Sequence, residues 1–115
     1  MIPGDVVLAR LPEGPSIGGK LRPAVVIASL PALVPTVLLC GISSRVHRRV
    51  DGRDIVVGTD HPDYATSGLH VPSVIRPSWL LSVPDDGMRR LGRVSEPTLN
   101  HVRLLVIGAI AVQQG

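Results

Sequence analysis

The chain has 115 residues, a length that fits one domain with a single modest core and is short for a wide parallel sheet with crossover helices. Apolar residues make up 44% of it, with one Trp, one Tyr and no Phe, so its core must be aliphatic, and 11 prolines and 12 glycines argue against a helical bundle. The net charge is +3, and residues 1–50 carry six basic against two acidic residues, which points to an anionic partner such as nucleic acid or simply to a solvated basic face.

Apolar, β-branched runs separated by turn residues predict a series of short strands. The predicted strands cover residues 5–11, 22–29, 36–43 and 54–58, one or two strands within 69–83, and a last short strand within 88–95. Pro72 and Pro77 are expected to break the fifth segment. Residues 44–53 and 59–68 are predicted to be polar loops.

The periodicity changes near the C-terminus. Leu99, Val102, Val106 and Ile110 recur at helical spacing, and Ser95 is a suitable N-cap. We therefore predict one domain over residues 1–115, mainly β, a small antiparallel barrel or sheet closed by a C-terminal α-helix.

The sequence carries no sign of export or of a membrane span. Its first ten residues lack a basic start, and its longest clean apolar stretch has nine residues. Cys40 is the only cysteine and lies in an apolar run, so we expect a small core residue in a reducing compartment. The expected location is the cytoplasm, with no membrane partner.

Residues 14–20, GPSIGGK, match all but the last position of the phosphate loop of nucleotide-binding proteins. The magnesium-binding position is Leu21, and Arg22-Pro23 followed by β-branched residues favours a strand over the helix that such a loop requires. We expect a bending loop that brings Lys20 and Arg22 to one edge of the sheet.

Other candidate chemistry is weak. One Cys and four scattered His residues do not form a zinc motif, and His61, Asp63 and His70 are better explained as solvated loop residues. Trp79 is expected to be a packed core residue rather than a base-stacking platform. No cofactor is expected.

A cluster of Arg22, Ser43, Ser44 and the loop Arg45–Arg49 remains. If strands two and three pair antiparallel, Arg22 faces Ser43. A guanidinium and a hydroxyl could bind a phosphate and support attack by an RNA 2′-hydroxyl without a metal. The alternative, a capping arginine and two turn serines, is the stronger interpretation on the residues alone.

Several segments resemble the MazF/PemK (Kid) toxins of bacterial type II toxin–antitoxin systems. They are GDVVLARLP with GGKLRPAVVI, then GISSR, then SGLHVPSVIRPSWLLSV, and finally RRLGRVSEPTLNHVRLLVIGAI. Each motif is short, but their order and spacing cover nearly the whole chain.

The resemblance implies an SH3-like β-barrel with a C-terminal helix and a homodimer. It also implies a metal-independent endoribonuclease that cuts single-stranded RNA to a 2′,3′-cyclic phosphate and is inhibited by a cognate antitoxin. By position, Arg22 matches the catalytic arginine and Ser43 the catalytic Thr or Ser, with Ser44 as the alternative if the alignment shifts by one. The expected RNA-binding residues are Lys20, Arg45, His47, Arg48, Arg49 and Arg76.

The sequence departs from the family pattern in two places. Ser16-Ile17 stands where many members have Glu-Gln, and Ser43 replaces the commoner Thr, so base preference and rate are open. Two other functions also stay open: a gyrase-binding toxin similar to CcdB, and an RNA-binding barrel without cleavage activity.

Overall fold

The computed structural model describes residues 1–11 and 19–111. It contains six strands, two α-helices and one turn of 3-10 helix at Val46–Arg48. The elements are β1 Asp5–Leu11, β2 Lys20–Leu30, β3 Thr36–Ser43, β4 Ile55–Val57, α1 Tyr64–Ser67, β5 Ser73–Pro84, β6 Arg89–Arg93 and α2 Glu96–Ala111. None of the helices in these two ranges is long and apolar enough to cross a membrane.

All six strands form one antiparallel sheet in the order β4-β5-β3-β2-β1-β6. The sheet is curled into a half-barrel, and α2 follows the last strand. The mainly β prediction with a C-terminal helix is therefore confirmed. Strands β1 and β3 have the predicted bounds, while β2 begins two residues earlier than predicted because Lys20 and Leu21 pair with the end of β1.

Both faces of the sheet are covered by aliphatic side chains, because successive residues of a strand point to opposite faces. The first cluster packs under α2 and includes Val6, Val25, Ile27, Cys40, Ile42, Val102 and Val106. The second lies on the other face and consists of Val7, Ala9, Leu11, Ala24, Val26, Val37 and Leu39. Each fully buried side chain of this size contributes about 1.5–3 kcal/mol.

One long strand, β5, stands where one or two strands broken by prolines were predicted. Its register with β3 passes from Leu80 opposite Cys40 to Ile75 opposite Ile42, so Pro77 lies in a bulge. A proline lacks the N–H that the ladder uses, and a bulge is where that absence costs least.

The Gly4-Asp5 pair anchors the first strand to the last. Gly4 has a φ of +96°, a conformation that other residues rarely adopt. The buried carboxylate of Asp5 accepts hydrogen bonds from Arg93 Nη1 at 2.8 Å and Arg90 Nε at 3.1 Å, and from the backbone N–H of Ile2 at 2.8 Å. These bonds satisfy the buried charge and hold β1 against β6.

A second buried carboxylate, Asp63, supports the start of α2. The backbone N–H and the hydroxyl of Ser95 both donate to Asp63 Oδ2, at 3.1 and 3.0 Å. The Thr98 backbone N–H in turn lies 3.5 Å from Ser95 Oγ, which places Ser95 at the predicted N-cap. Asp63 is only 3% exposed, so the expectation that it is a solvated loop residue was wrong. The segment around it, predicted as loop, contains the short helix α1.

We predict that Asp63→Asn destabilises the fold at neutral pH. Burial raises the pKa of Asp63, but hydrogen bonds from Thr98 and Ser95 and the nearby His61 outweigh it, and the pKa lies below its ordinary value of 3.8. A lowered pKa stabilises the fold above the unfolded pKa, and this contribution is lost as pH falls through the folded pKa. The variant should lose about 1–3 kcal/mol of unfolding free energy at pH 7.

Urea unfolding at several pH values measures this difference. The gap between wild type and variant should shrink as the pH falls below about 4, where the unfolded carboxylate protonates. If the difference in unfolding free energy stays constant from pH 7 to pH 3, the ionised carboxylate of Asp63 contributes nothing to stability.

Candidate functional site

A groove of about 950 Å³ lies at the end of the sheet where β2 begins and β3 ends. The predicted site residues that line it are Arg22, Ser43, Ser44, Arg45, Arg48 and Arg76. They come from β2, β3, the loop after β3 and β5. Lys20, His47 and Arg49 do not line the groove, so the structure brings six of the nine predicted residues together.

The charged side chains in the described lining of the groove are all basic. Four of the described lining residues are arginines, and none of the described lining residues is acidic. Arginine keeps its charge at every physiological pH and offers five N–H donors in a planar fork, which suits phosphate and carboxylate groups. The lining of the groove therefore favours an anionic ligand.

Arg22 and Ser43 lie at the same end of β2 and β3, because these two strands are antiparallel neighbours. Ala24 pairs with Gly41, and the same register carried two residues further places Arg22 opposite Ser43. Side chains two residues apart in a strand share a face, so both lie on the face of Ala24 and Gly41. The predicted antiparallel pairing of strands two and three is confirmed, and both residues line the groove.

The two serines differ in their surroundings. Ser43 is the last residue of β3, and its Oγ accepts a hydrogen bond from the Arg45 backbone N–H at 3.1 Å. This turn uses one lone pair of the Ser43 oxygen, and the Ser43 hydroxyl can still donate a hydrogen bond to a ligand. Ser44 lies beyond the strand and is exposed. The strand position favours Ser43 as the partner of Arg22.

The basic loop presents only part of its charge to the groove. Its single turn of 3-10 helix carries Arg48 into the lining, and Arg45 precedes that turn. Arg49 instead pairs with Asp51 at 3.2 Å, and its Nη1 donates to the Val46 carbonyl at 3.3 Å.

Trp79 contributes both to the core and to the wall of the groove. It packs against the second aliphatic cluster and also lines the groove, so the predicted core role describes only part of its position. Its ring occupies the space where a Cβ would stand at Gly41. A side chain at position 41 would therefore displace the indole and the groove wall that it forms.

Three further polar residues line the groove that sequence reasoning did not select. His70 lies three residues before β5, Ser73 begins the strand and Ser78 lies near its middle. All three lie in the segment SGLHVPSVIRPSWLLSV, but only the strand pairing shows that they reach the same groove as Arg22. His70 is thus separated from Asp63, with which it was considered as a possible ligand set.

The remaining candidates are structural. Cys40 is fully buried in β3, and burial raises the pKa of its thiol to about 12, as expected for an unreactive core residue. Within residues 1–11 and 19–111, no group of three or more His, Cys, Asp or Glu side chains could hold a metal ion. Most of the GPSIGGK segment lies outside the described residues, but the chain after it is a strand, not the helix of a phosphate loop.

Comparison with known proteins agrees with this arrangement. Residues 2–108 match the family model described as "PemK-like, MazF-like toxin of type II toxin-antitoxin system". Among solved structures, the Mycobacterium tuberculosis toxin MazF-mt6 matches with a TM-score of 0.68 and 20% identity, over 93% of this chain and 96% of that chain. No curated protein matches the sequence significantly.

The family match spans nearly the whole chain, so this protein belongs to the PemK-like, MazF-like toxins of type II toxin–antitoxin systems. At 20% identity, the likeness to MazF-mt6 shows a shared fold.

Proposed function

We propose that this protein is an endoribonuclease that cuts single-stranded RNA without a metal ion and leaves a 2′,3′-cyclic phosphate. The observation that carries the proposal is that Arg22 and Ser43 both line a groove whose described lining includes four arginines and no acidic residue. Family membership supports the same activity.

The proposed reaction needs few protein groups. The RNA 2′-hydroxyl gives up its proton to water as its oxygen attacks the adjacent phosphorus. The bond from phosphorus to the 5′-oxygen of the next nucleotide breaks, and that oxygen takes a proton from water and leaves as a 5′-hydroxyl. Negative charge builds on the phosphoryl oxygens, and the guanidinium of Arg22 stabilises it. The Ser43 hydroxyl donates a hydrogen bond to a phosphoryl oxygen or to the reacting ribose. Arg45, Arg48 and Arg76 bind neighbouring phosphates along the groove.

Substitution of Arg22 and Ser43 tests the proposal. In buffer with EDTA, wild type should cut single-stranded RNA, and Arg22→Ala should be slower by about 100-fold or more, the usual effect of removing a transition-state donor. Ser43→Ala should slow the reaction far more than Ser44→Ala. The rates are measured on labelled RNA under single-turnover conditions.

Arg89→Ala is the matched control, because Arg89 is an exposed strand arginine outside the groove. No cleavage by wild type, or equal rates for wild type and Arg22→Ala, would refute the proposed activity. Inhibition of DNA gyrase supercoiling by a wild type that leaves RNA intact would establish the CcdB-like alternative instead.

We propose that the working form is a homodimer joined through α2. Leu104, Ile107 and Ile110 recur every three residues along the helix and are 67%, 62% and 65% exposed. Beside them a cavity of about 230 Å³ is lined by α2, the Gly52-Arg53 turn and Pro77. A second copy would bury this apolar surface.

Ile107→Asp should convert the dimer to a monomer, because it places a charge within the apolar stripe. Sedimentation equilibrium at micromolar concentrations gives the mass. Leu33→Asp is the control, since Leu33 is fully exposed on the connection between β2 and β3. A monomeric wild type would contradict the dimer, and dissociation of both variants alike would contradict the assignment to α2.

We also propose that a cognate antitoxin inhibits the toxin by placing an acidic segment in the groove. The one-signed charge of the lining residues supports an acidic peptide as well as RNA. The product of a short reading frame next to this gene should abolish RNA cleavage when added in equal amount. If that product binds the Arg45→Ala and Arg48→Ala variants as tightly as it binds wild type, the antitoxin does not contact the groove and this proposal is wrong.

A further inference from the structure

Arg76 carries an unusual feature. It lies in β5 and lines the groove, yet its Nε is buried and has no hydrogen-bond partner among the described residues. The side chain as a whole is 33% exposed, so its accessible surface belongs to its other atoms. Buried donors without a partner are rare because they forfeit their bonds to water. This one therefore calls for a physical explanation.

The group that faces Arg76 Nε is the carboxylate of Asp54. The β4–β5 register pairs Ile55 with Ile75, and one further step places Asp54 opposite Arg76. Asp54 Oδ2 lies 3.8 Å from Arg76 Nε, and the Asp54 side chain is only 3% exposed. This distance is too long for a hydrogen bond. It is short enough for a strong attraction between opposite charges, which burial protects from screening.

Asp54 is itself held in place. Its Oδ2 accepts the Val50 backbone N–H at 2.8 Å, and its own backbone N–H donates to the Val50 carbonyl at 2.9 Å. These two bonds close the end of the loop that brings Arg45 and Arg48 to the groove. The carboxylate therefore has a fixed position behind Arg76 and is absent from the groove lining.

We propose that Asp54 is a positioning residue, whose buried carboxylate holds the inner edge of the Arg76 guanidinium so that the outer N–H donors face a phosphate of the bound RNA. A guanidinium is planar and its donors form a rigid fork, so a charge on one edge sets the direction of the other. This role rests on the proposed ribonuclease function.

Charge alone predicts the opposite effect of removing Asp54. Asp54→Asn makes the region beside the groove more positive, and a purely electrostatic account expects RNA to bind more tightly and to be cut at least as fast. If Asp54 orients Arg76, the same variant should cut RNA about tenfold more slowly, the scale on which outer partners of functional groups act. Because Arg76 binds a neighbouring phosphate, the decrease should appear in kcat/KM as a higher KM, where the purely electrostatic account expects a lower one.

The asparagine variant keeps the shape of the side chain and an oxygen that can accept the Val50 N–H. Asp51→Asn is the matched control, because Asp51 also pairs with an arginine of this loop but is 89% exposed. An Asp54→Asn rate equal to or above that of wild type would overturn the proposal. So would an equal loss in the presence and absence of Arg76→Gln, because a residue that acts through Arg76 has no effect once Arg76 is removed.

A second readout does not depend on catalysis. The Arg76 Nε–H signal in an NMR spectrum should exchange slowly with water in wild type and clearly faster in Asp54→Asn, while Asp51→Asn leaves it unchanged. Equal exchange in wild type and Asp54→Asn would overturn the proposal. If wild type cuts no RNA, the ribonuclease proposal fails, and this exchange measurement alone decides whether Asp54 positions Arg76.

Discussion

The antiparallel pairing of β2 with β3 is the constraint on which the site depends. Arg22 and Ser43 are far apart in the chain, and this pairing brings them to the same end of the sheet, where both line the groove. Its register is set by aliphatic residues on both faces of the sheet, since a shift of one residue would turn every side chain to the wrong face. The same cores that stabilise the half-barrel thus fix the position of the arginine on which the proposed chemistry depends.

The buried acidic side chains and the arginines of the groove occupy different parts of the structure. Three buried carboxylates, Asp5, Asp54 and Asp63, are each engaged by arginines or backbone N–H groups away from the groove lining. Asp5 joins the two strands at one edge, Asp63 supports the start of α2, and Asp54 closes the basic loop. These three acidic residues hold parts of the fold together, while Arg22, Arg45 and Arg48 line the groove. The groove therefore attracts anions although the chain carries a net charge of only +3.

Much of this fold could be predicted from local patterns. Strands β1 and β3 match their predicted bounds because each is a mainly apolar run that lies between turn residues. The helix α1 was missed since four residues are too few to show a period. Pro77 was expected to break a strand, but a bulge accommodates it, and a bulge depends on the partner strand.

The part of the site that depends only on the pairing of two consecutive strands could be predicted from the sequence. Arg22 and Ser43 follow from two adjacent strands. His70 lies just before β5 and Asp54 lies beside Arg76 of β5, and the sequence does not reveal which strands neighbour β5. Arg49 was expected to face the ligand, but it turns to Asp51 and to the Val46 carbonyl. These partners are close in the chain, but the backbone path of the loop, which the local pattern does not reveal, decides that they and not the groove receive its guanidinium.

The chemistry of the cut ends tests the central claim most directly. RNA treated with the protein in EDTA should carry 2′,3′-cyclic phosphate and 5′-hydroxyl ends, identified by mass spectrometry. Replacing the 2′-hydroxyl by hydrogen at a mapped cleavage site should then abolish cutting at that site. Ends with a 5′-phosphate, or continued cutting at the 2′-deoxy position, would contradict attack by the 2′-oxygen in the Arg22–Ser43 groove.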